Sequence, residues 1–198
     1  MRTLQEAGHE ASACTKCRLS VGRTQVVYGT GNADADLMFI GEGPGYYEDK
    51  QGEPFVGAAG QLLNRMLEEI GVRRADVRIT NVILCRPPGN RDPMPDEVET
   101  CTPWLREQIE LVDPRVIVTL GNFATRFMLD KPISISRVRG QRFPLEGRTV
   151  IPTFHPAAIL RGGGEASTQM AALRSDFQEI KRALAEMPEP VEEQLGLF

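Results

Sequence analysis

The sequence predicts an α/β fold, a three-layer α/β/α arrangement around a central, mostly parallel four-stranded sheet. Two observations lead there. Short apolar, β-branched runs alternate with longer stretches of helical periodicity, as in successive strand–helix units. Turn residues stand at most of the junctions between them.

Residues 37–40 (LMFI) read as a buried strand that ends in the turn Gly41-Glu42-Gly43-Pro44-Gly45. A helix is expected over 60–70, with Leu62, Leu63, Met66, Leu67 and Ile70 at helical spacing and Gly71 as its stop. Residues 77–84 (VRITNVIL) form the next strand. A proline-rich loop over 86–95 leads to a helix capped by Asp96, with Glu99 three residues on. Pro114 precedes a strand over 115–120, and Gly121-Asn122 opens a helix to Leu129. Residues 138–154 read as a hairpin and strand turning at Glu146-Gly147, followed by His155-Pro156. Gly162 to Gly164 form a loop before a final helix over 166–187. Residues 1–187 are thus expected to be one domain and 188–198 a flexible acidic tail.

No apolar run approaches the ~18–20 residues of a membrane span, and the N-terminus lacks a signal-peptide pattern, so a cytoplasmic protein is expected; it is also expected to be a monomer. The formal charge of −4 argues against a polyanionic partner at first sight. However, residues 176–198 carry six acids and two bases, and the remaining body is balanced. Within that body Arg86, Arg91, Arg137, Arg139, Arg142, Arg148 and Arg161 cluster, which permits a local basic face.

The four cysteines fall as Cys14-x2-Cys17, then Cys85 and Cys101 far downstream. Four thiolates suit a structural zinc or an iron–sulfur cluster. A zinc ribbon usually closes with a second tight pair. The loose second pair here, separated by helix, fits a 4Fe–4S cluster better. Zinc, disulfides and free core thiols remain the alternatives.

In an open parallel sheet, ligands sit at the carboxyl ends of the strands. The GEGPG turn, Asn81, the Gly121-Asn122 turn and His155-Pro156 all fall there, which points to one cleft. GEGPG is neither a P-loop nor a dinucleotide fingerprint. It is either a tight turn or backbone exposed to a closely approaching ligand. Phe55, between prolines and glycines, could stack on a planar ring. Asn81 inside an apolar strand needs hydrogen bonds.

Taken together, these pieces resemble the family 4 uracil-DNA glycosylases, the iron–sulfur type. The resemblance covers roughly residues 10–185. It rests on Cys14-x2-Cys17, GEGPGYYEDKQGEPFVGAAGQLLNRML, ITNVILCRPPGNRDP, Cys101 and FHPAAILR. It implies excision of uracil from DNA during base excision repair, with the base flipped out of the duplex. Phe55 would stack on uracil and Asn81 would read its N3–H and O4. Gly43 and His155 would approach O2, with His155 stabilising the departing anion. The best-known uracil glycosylases carry an aspartate and a tyrosine where this chain has Gly43 and Gly45. Catalysis would then lean on leaving-group stabilisation. Glu48 would take over exclusion of the thymine methyl, and Glu42 would support the turn or a water. Tyr46 and Tyr47 are less typical of the family and are either surface or DNA-facing. The cluster would be a structural staple. Ile159, Leu160 and Arg161 form a candidate DNA wedge and grip, and Arg86, Arg91 and Arg139 are further DNA-contact candidates.

Gln194-Leu195-Gly196-Leu197-Phe198 follows the acidic, proline-containing stretch MPEPVEE. It resembles the peptide with which bacterial DNA-maintenance proteins dock on the replicative sliding clamp, with Gln194, Leu195, Leu197 and Phe198 as anchors. A tail packed on its own domain is the alternative. A histidine-dependent covalent relative is disfavoured because the loop PPGNRDPMP holds no histidine. The rival of another class is a non-enzymatic iron–sulfur or zinc DNA-binding module.

Overall fold

The computed structural model describes residues 2–186; the candidate clamp peptide and the rest of the tail lie outside them. Its core is four parallel strands: β2 (Leu37–Gly41), β3 (Arg78–Asn81), β4 (Val116–Leu120) and β6 (Arg148–Thr153). Two short strands add antiparallel edges: β1 (Thr30–Gly31), which was not foreseen, and β5 (Phe143–Leu145), the first arm of the expected hairpin. The sheet is therefore six-stranded, in the order β1-β3-β2-β4-β6-β5, rather than four-stranded. β1, at two residues, is too short to show a period-2 pattern.

Alternate residues of each central strand face opposite helical layers, as the pleat requires. Phe39, Val118 and Ile151 pack under α4 (Ala58–Glu69), α8 (Pro156–Arg161) and α9 (Thr168–Glu186). Met38, Ile40, Ile117 and Val150 pack under α5 (Pro95–Val112) and α6 (Gly121–Leu129). Phe39 and Phe177 stack with ring centroids 5.9 Å apart, tying β2 to α9. The apolar face of α4 is the one read from its spacing, with Leu62, Leu63, Met66 and Leu67 buried.

Four local expectations change. The strand expected over 77–84 ends at Asn81. Residues 82–84 are buried but irregular, with Val82 and Ile83 N–H donating to the carbonyls of Gly41 and Glu42. Helix α5 begins at Pro95, not after Asp96, because the Glu97 carboxylate reaches back to the Met94 N–H at 2.8 Å. A helix not foreseen, α3 (Tyr46–Gln51), follows the glycine-rich turn, with Asp49 as its buried residue. At the N-terminus α1 (Leu4–Ser12) starts with a Thr3/Glu6 capping box, a signal present in the sequence and overlooked. The short α2 (Leu19–Gly22) and α7 (Ile135–Val138) complete the described helices. Among the described residues no helix is long and apolar enough to cross a membrane.

Candidate active site

The sheet order reverses at β2, whose neighbours β3 and β4 are reached in opposite directions. This is the switch point where a crevice opens at the strand ends. A cleft of about 850 Å³ lies there. It is lined by the turn after β2 (Glu42 to Gly45), Asn81 at the end of β3, Gly121 and Asn122 after β4, and His155 after β6. All four strand-end features expected to converge do so.

Glycines make the convergence possible. Gly41 pairs with Asn81 across β2 and β3. A Cβ on Gly41 would collide with Asn81 Oδ1 and stand 2.8 Å from Phe55 Cζ. Phe55 is nearly buried and adopts φ +54°, a region that costs a non-glycine residue energy unless its surroundings enforce it. Its carbonyl lies so close to Gly60 of α4 that any Cβ there would clash. The ring is thereby held against His155, stacked with centroids 5.6 Å apart and planes at 29°.

The protonation of His155 follows from its contacts. Nδ1 accepts a hydrogen bond from the Ala157 N–H at 3.1 Å, capping α8. In the neutral ring the proton therefore sits on Nε2 as a donor. Burial, with Arg161 adding to it and Glu48 opposing it, pushes the His155 pKa down to about 4. At neutral pH the cleft therefore holds an uncharged imidazole with one N–H to offer. Asn81 is 2% exposed and lines the same cleft.

Glu48, on α3, is fixed by two backbone donors: Oε1 accepts from Val56 N–H at 3.0 Å and Gly57 N–H at 3.2 Å. Its other oxygen, Oε2, lies 2.8 Å from where a Cβ on Gly45 would stand. The carboxylate thus fills space that a side chain at position 45 would take. The Glu42 carboxyl lines the cleft with its pKa raised by burial, reinforced by Asp92. A Cβ on Gly43 would stand 2.7 Å from Ile83 Cγ1, so a side chain there would require Ile83 to shift.

The arginine-rich and wedge candidates separate. Arg161 is exposed and lines the cleft, and Leu160 is 39% exposed beside it. Ile159 is corrected as a wedge residue: it is fully buried in the core between α8 and the sheet. Arg91 lines the cleft while forking onto the buried Glu97 at 2.6 and 2.9 Å, which lowers the Glu97 pKa and anchors the proline-rich loop on α5. Arg86 donates to Asn90 Oδ1 at 2.6 Å. Arg139 is also corrected. Its guanidinium is spent on the buried Asp176 and the Ala172 carbonyl, with the Phe154 ring 5.7 Å away, and it does not line the cleft. Sequence reasoning missed Phe123, Arg126 and Phe127 on the cleft wall. With Asn122 they fall at i, i+1, i+4 and i+5 of α6, a helical spacing that could have been projected from the strand end.

The four cysteines also meet. Cys14 and Cys17 (between α1 and α2), Cys85 (after β3) and Cys101 (on α5) line one small cavity walled by Ala11, Val26, Leu84 and Trp104. Leu84 N–H donates to Cys101 Sγ and Arg23 Nη1 to Cys85 Sγ, both at 3.3 Å. Arg23 Nη2 also holds the Cys14 carbonyl at 2.6 Å. Burial pushes the Cys101 thiol up to about 12 and raises that of Cys85. Holding such thiols as thiolates takes a cationic centre, and the backbone and guanidinium donors are the partners metal-bound sulfurs take. The donor set therefore fits a metal group. Among the described residues no three of these groups are placed to hold a single metal ion.

A family model of the uracil DNA glycosylase superfamily matches residues 28–181. The chain is 53% identical over 150 residues to a protein of Thermotoga maritima named a type-4 uracil-DNA glycosylase, covering 75% of this chain and 78% of that one. A protein of the same name from Archaeoglobus fulgidus is 49% identical over 168 residues, covering 81% and 84%. Another from Saccharolobus solfataricus is 43% identical over 197 residues, covering 95% and 89%.

Proposed function

The chain belongs to the uracil DNA glycosylase superfamily, and from that premise we propose that its cleft excises uracil by stabilising the departing base rather than by strongly activating water. The activity is that of a uracil-DNA glycosylase acting in DNA repair: hydrolysis of the bond between uracil and deoxyribose, which leaves an abasic site.

The observation that carries the mechanism is the neutral, Nε2-protonated His155 stacked on Phe55 in the cleft that Asn81 lines. As the N-glycosidic bond lengthens, negative charge builds on the uracil ring. A donor already oriented in a water-poor pocket stabilises that charge at no reorganisation cost. His155 is that donor, aimed at O2. Phe55 provides the planar wall for the extruded ring. Asn81 accepts from N3–H and donates to O4, a pattern cytosine presents in reverse. Glu48, pinned by Val56 and Gly57 and filling the space beside Gly45, walls off a C5 methyl group. Glu42 steadies the turn through the bond from Ile83 and offers its carboxyl to a water. Arg161 and Leu160 at the rim take the backbone and the vacated stack.

We assign the four cysteines to one 4Fe–4S cluster. Its support is that all four cysteines line one small cavity, together with the loose spacing of Cys85 and Cys101. Its chemistry is structural: when bound it staples the N-terminal segment to the loop after β3 and to α5. One preparation tests both assignments. Protein purified without oxygen is expected to be brown, with about four irons per chain. It is also expected to create alkali-labile sites at uracil in single- and double-stranded oligonucleotides. A colourless protein with stoichiometric zinc would overturn the cluster. DNA binding without excision would favour the binding-module reading.

Gln194, Leu195, Leu197 and Phe198 dock the enzyme, a cytoplasmic monomer, on a bacterial sliding clamp and raise its local concentration on DNA. Removing residues 194–198 is expected to abolish clamp binding and to leave activity on short oligonucleotides unchanged. Equal clamp affinity with and without the segment would reject it.

A further inference from the structure

Helix α3 begins, directly after the glycine-rich turn, with two tyrosines whose rings stand in solvent: Tyr46 is 49% and Tyr47 62% exposed. A lone exposed aromatic needs no explanation. This pair differs in placement, support and charge. Gly45 before it and Glu48 after it both line the cleft, so the rings stand on its lip. They meet edge to face at 5.4 Å and 83°. The Arg86 guanidinium stands 5.1 Å and the Lys50 ammonium 5.8 Å from the Tyr46 ring centre. Arg86 is itself fixed by Asn90. Tyr46 is thus a buttress carrying two cations. Tyr47 leans on it by an edge, passes close to Gly57 and stays the more exposed of the two.

We propose that Tyr47, buttressed by Tyr46, is a stacking platform for the base of a nucleotide flanking the extruded uracil. Arg86 and Lys50 hold the adjoining phosphates. The assignment rests on reading the cleft as the uracil pocket. Flipping a base into that pocket strips its neighbour of a stacking partner at the lip. An aromatic face there restores the lost contact, and it does so for any base, since every base has a π-face. Two cations beside it match the strand's charge. The platform binds and positions DNA; it does not touch the reacting atoms.

The test uses single-stranded oligonucleotides with one uracil, flanked either by ordinary bases or by abasic tetrahydrofuran residues, in single-turnover assays over a range of enzyme concentrations. The unsubstituted protein is expected to need about tenfold more enzyme for half-saturation on the abasic-flanked strand, within the usual range for base–aromatic stacking. Tyr47→Ala should show that same loss on the base-flanked strand and no further loss on the other. Tyr47→Phe should behave as the unsubstituted protein, since the ring and not the hydroxyl acts. The saturating rate and inhibition by free uracil should not change in either variant. Unaltered half-saturation in Tyr47→Ala, or an equal penalty on both strands, would overturn the platform. Failure of the unsubstituted protein to excise uracil at all would overturn the reading of the cleft, and the platform with it.

Discussion

Asn81→Asp is expected to lower single-turnover uracil excision by about 10³- to 10⁴-fold while leaving DNA affinity nearly unchanged. The size follows from where the amide stands. Asn81 closes β3, is 2% exposed, and faces Gly41 across the parallel pair. In the proposed reading its amide offers the pocket one acceptor and one donor. The carboxylate keeps the acceptor for N3–H, removes the donor to O4, and leaves a buried uracil oxygen unpaired. It also sets a negative charge beside a ring that becomes anionic as the bond breaks. Asn81→Ala, which removes both hydrogen bonds without adding charge, should lose less. Quenched-flow rates and fluorescence-anisotropy binding to uracil-containing DNA separate the two effects. Rates within tenfold of the unsubstituted protein in both variants would place base recognition elsewhere.

That Asn81 could be placed at the cleft from sequence reflects the rule that ligands sit at strand ends in open parallel sheets. Polar or glycine-rich breaks after 37–40, at 81, after 120 and at 155 had to share one edge, whatever the helices did. The four-stranded core was legible for a related reason: buried parallel strands are apolar on both faces. What escaped was set by distant or single contacts. Ile159 and Leu160 are adjacent and alike in sequence, and only the packing of a six-residue helix decides that the first is buried and the second partly exposed. Arg139 looked like a free surface base until Asp176, 37 residues on, claimed its guanidinium. Helix α3 carries no apolar stripe and is held by the buried Asp49, which accepts from the Thr24 N–H, and by Glu48. The start of α5 moved because Glu97, paired with Arg91, replaced the expected Asp96 cap.

The proposed mechanism also accounts for Gly43, which stands where the resemblance to uracil glycosylases leads one to expect an aspartate. The Ile83 side chain packs against that glycine, so a side chain at 43 would have to push it aside. In the proposed mechanism the catalytic load therefore falls on the groups that receive the departing base, and His155 is assigned the largest share.

His155→Ala is accordingly expected to cut the single-turnover rate by about 10²- to 10³-fold, the usual cost of one preorganised donor. Alanine also removes the cap on α8, so His155→Asn, which can cap the same N–H, is the control for folding. Both variants should be slow, and the asparagine variant should keep the unsubstituted protein's thermal stability more closely. The pH profile tests the protonation state. With a His155 pKa of about 4, the imidazole stays neutral through the physiological range. The rate should be flat from about pH 8 to about pH 5 and fall only as His155 protonates, because protonation breaks the bond from Ala157 and turns the ring. Stability moves in the same direction. The folded pKa lies below the ordinary 6.5, so the unfolded chain takes up the proton first. Stability is therefore withdrawn progressively as pH falls from about 6.5 toward about 4, and His155 withdraws nothing further below that. A rate that climbed on acidification through pH 6.5, and lost that climb in His155→Asn, would mean that the charged imidazolium is the active form.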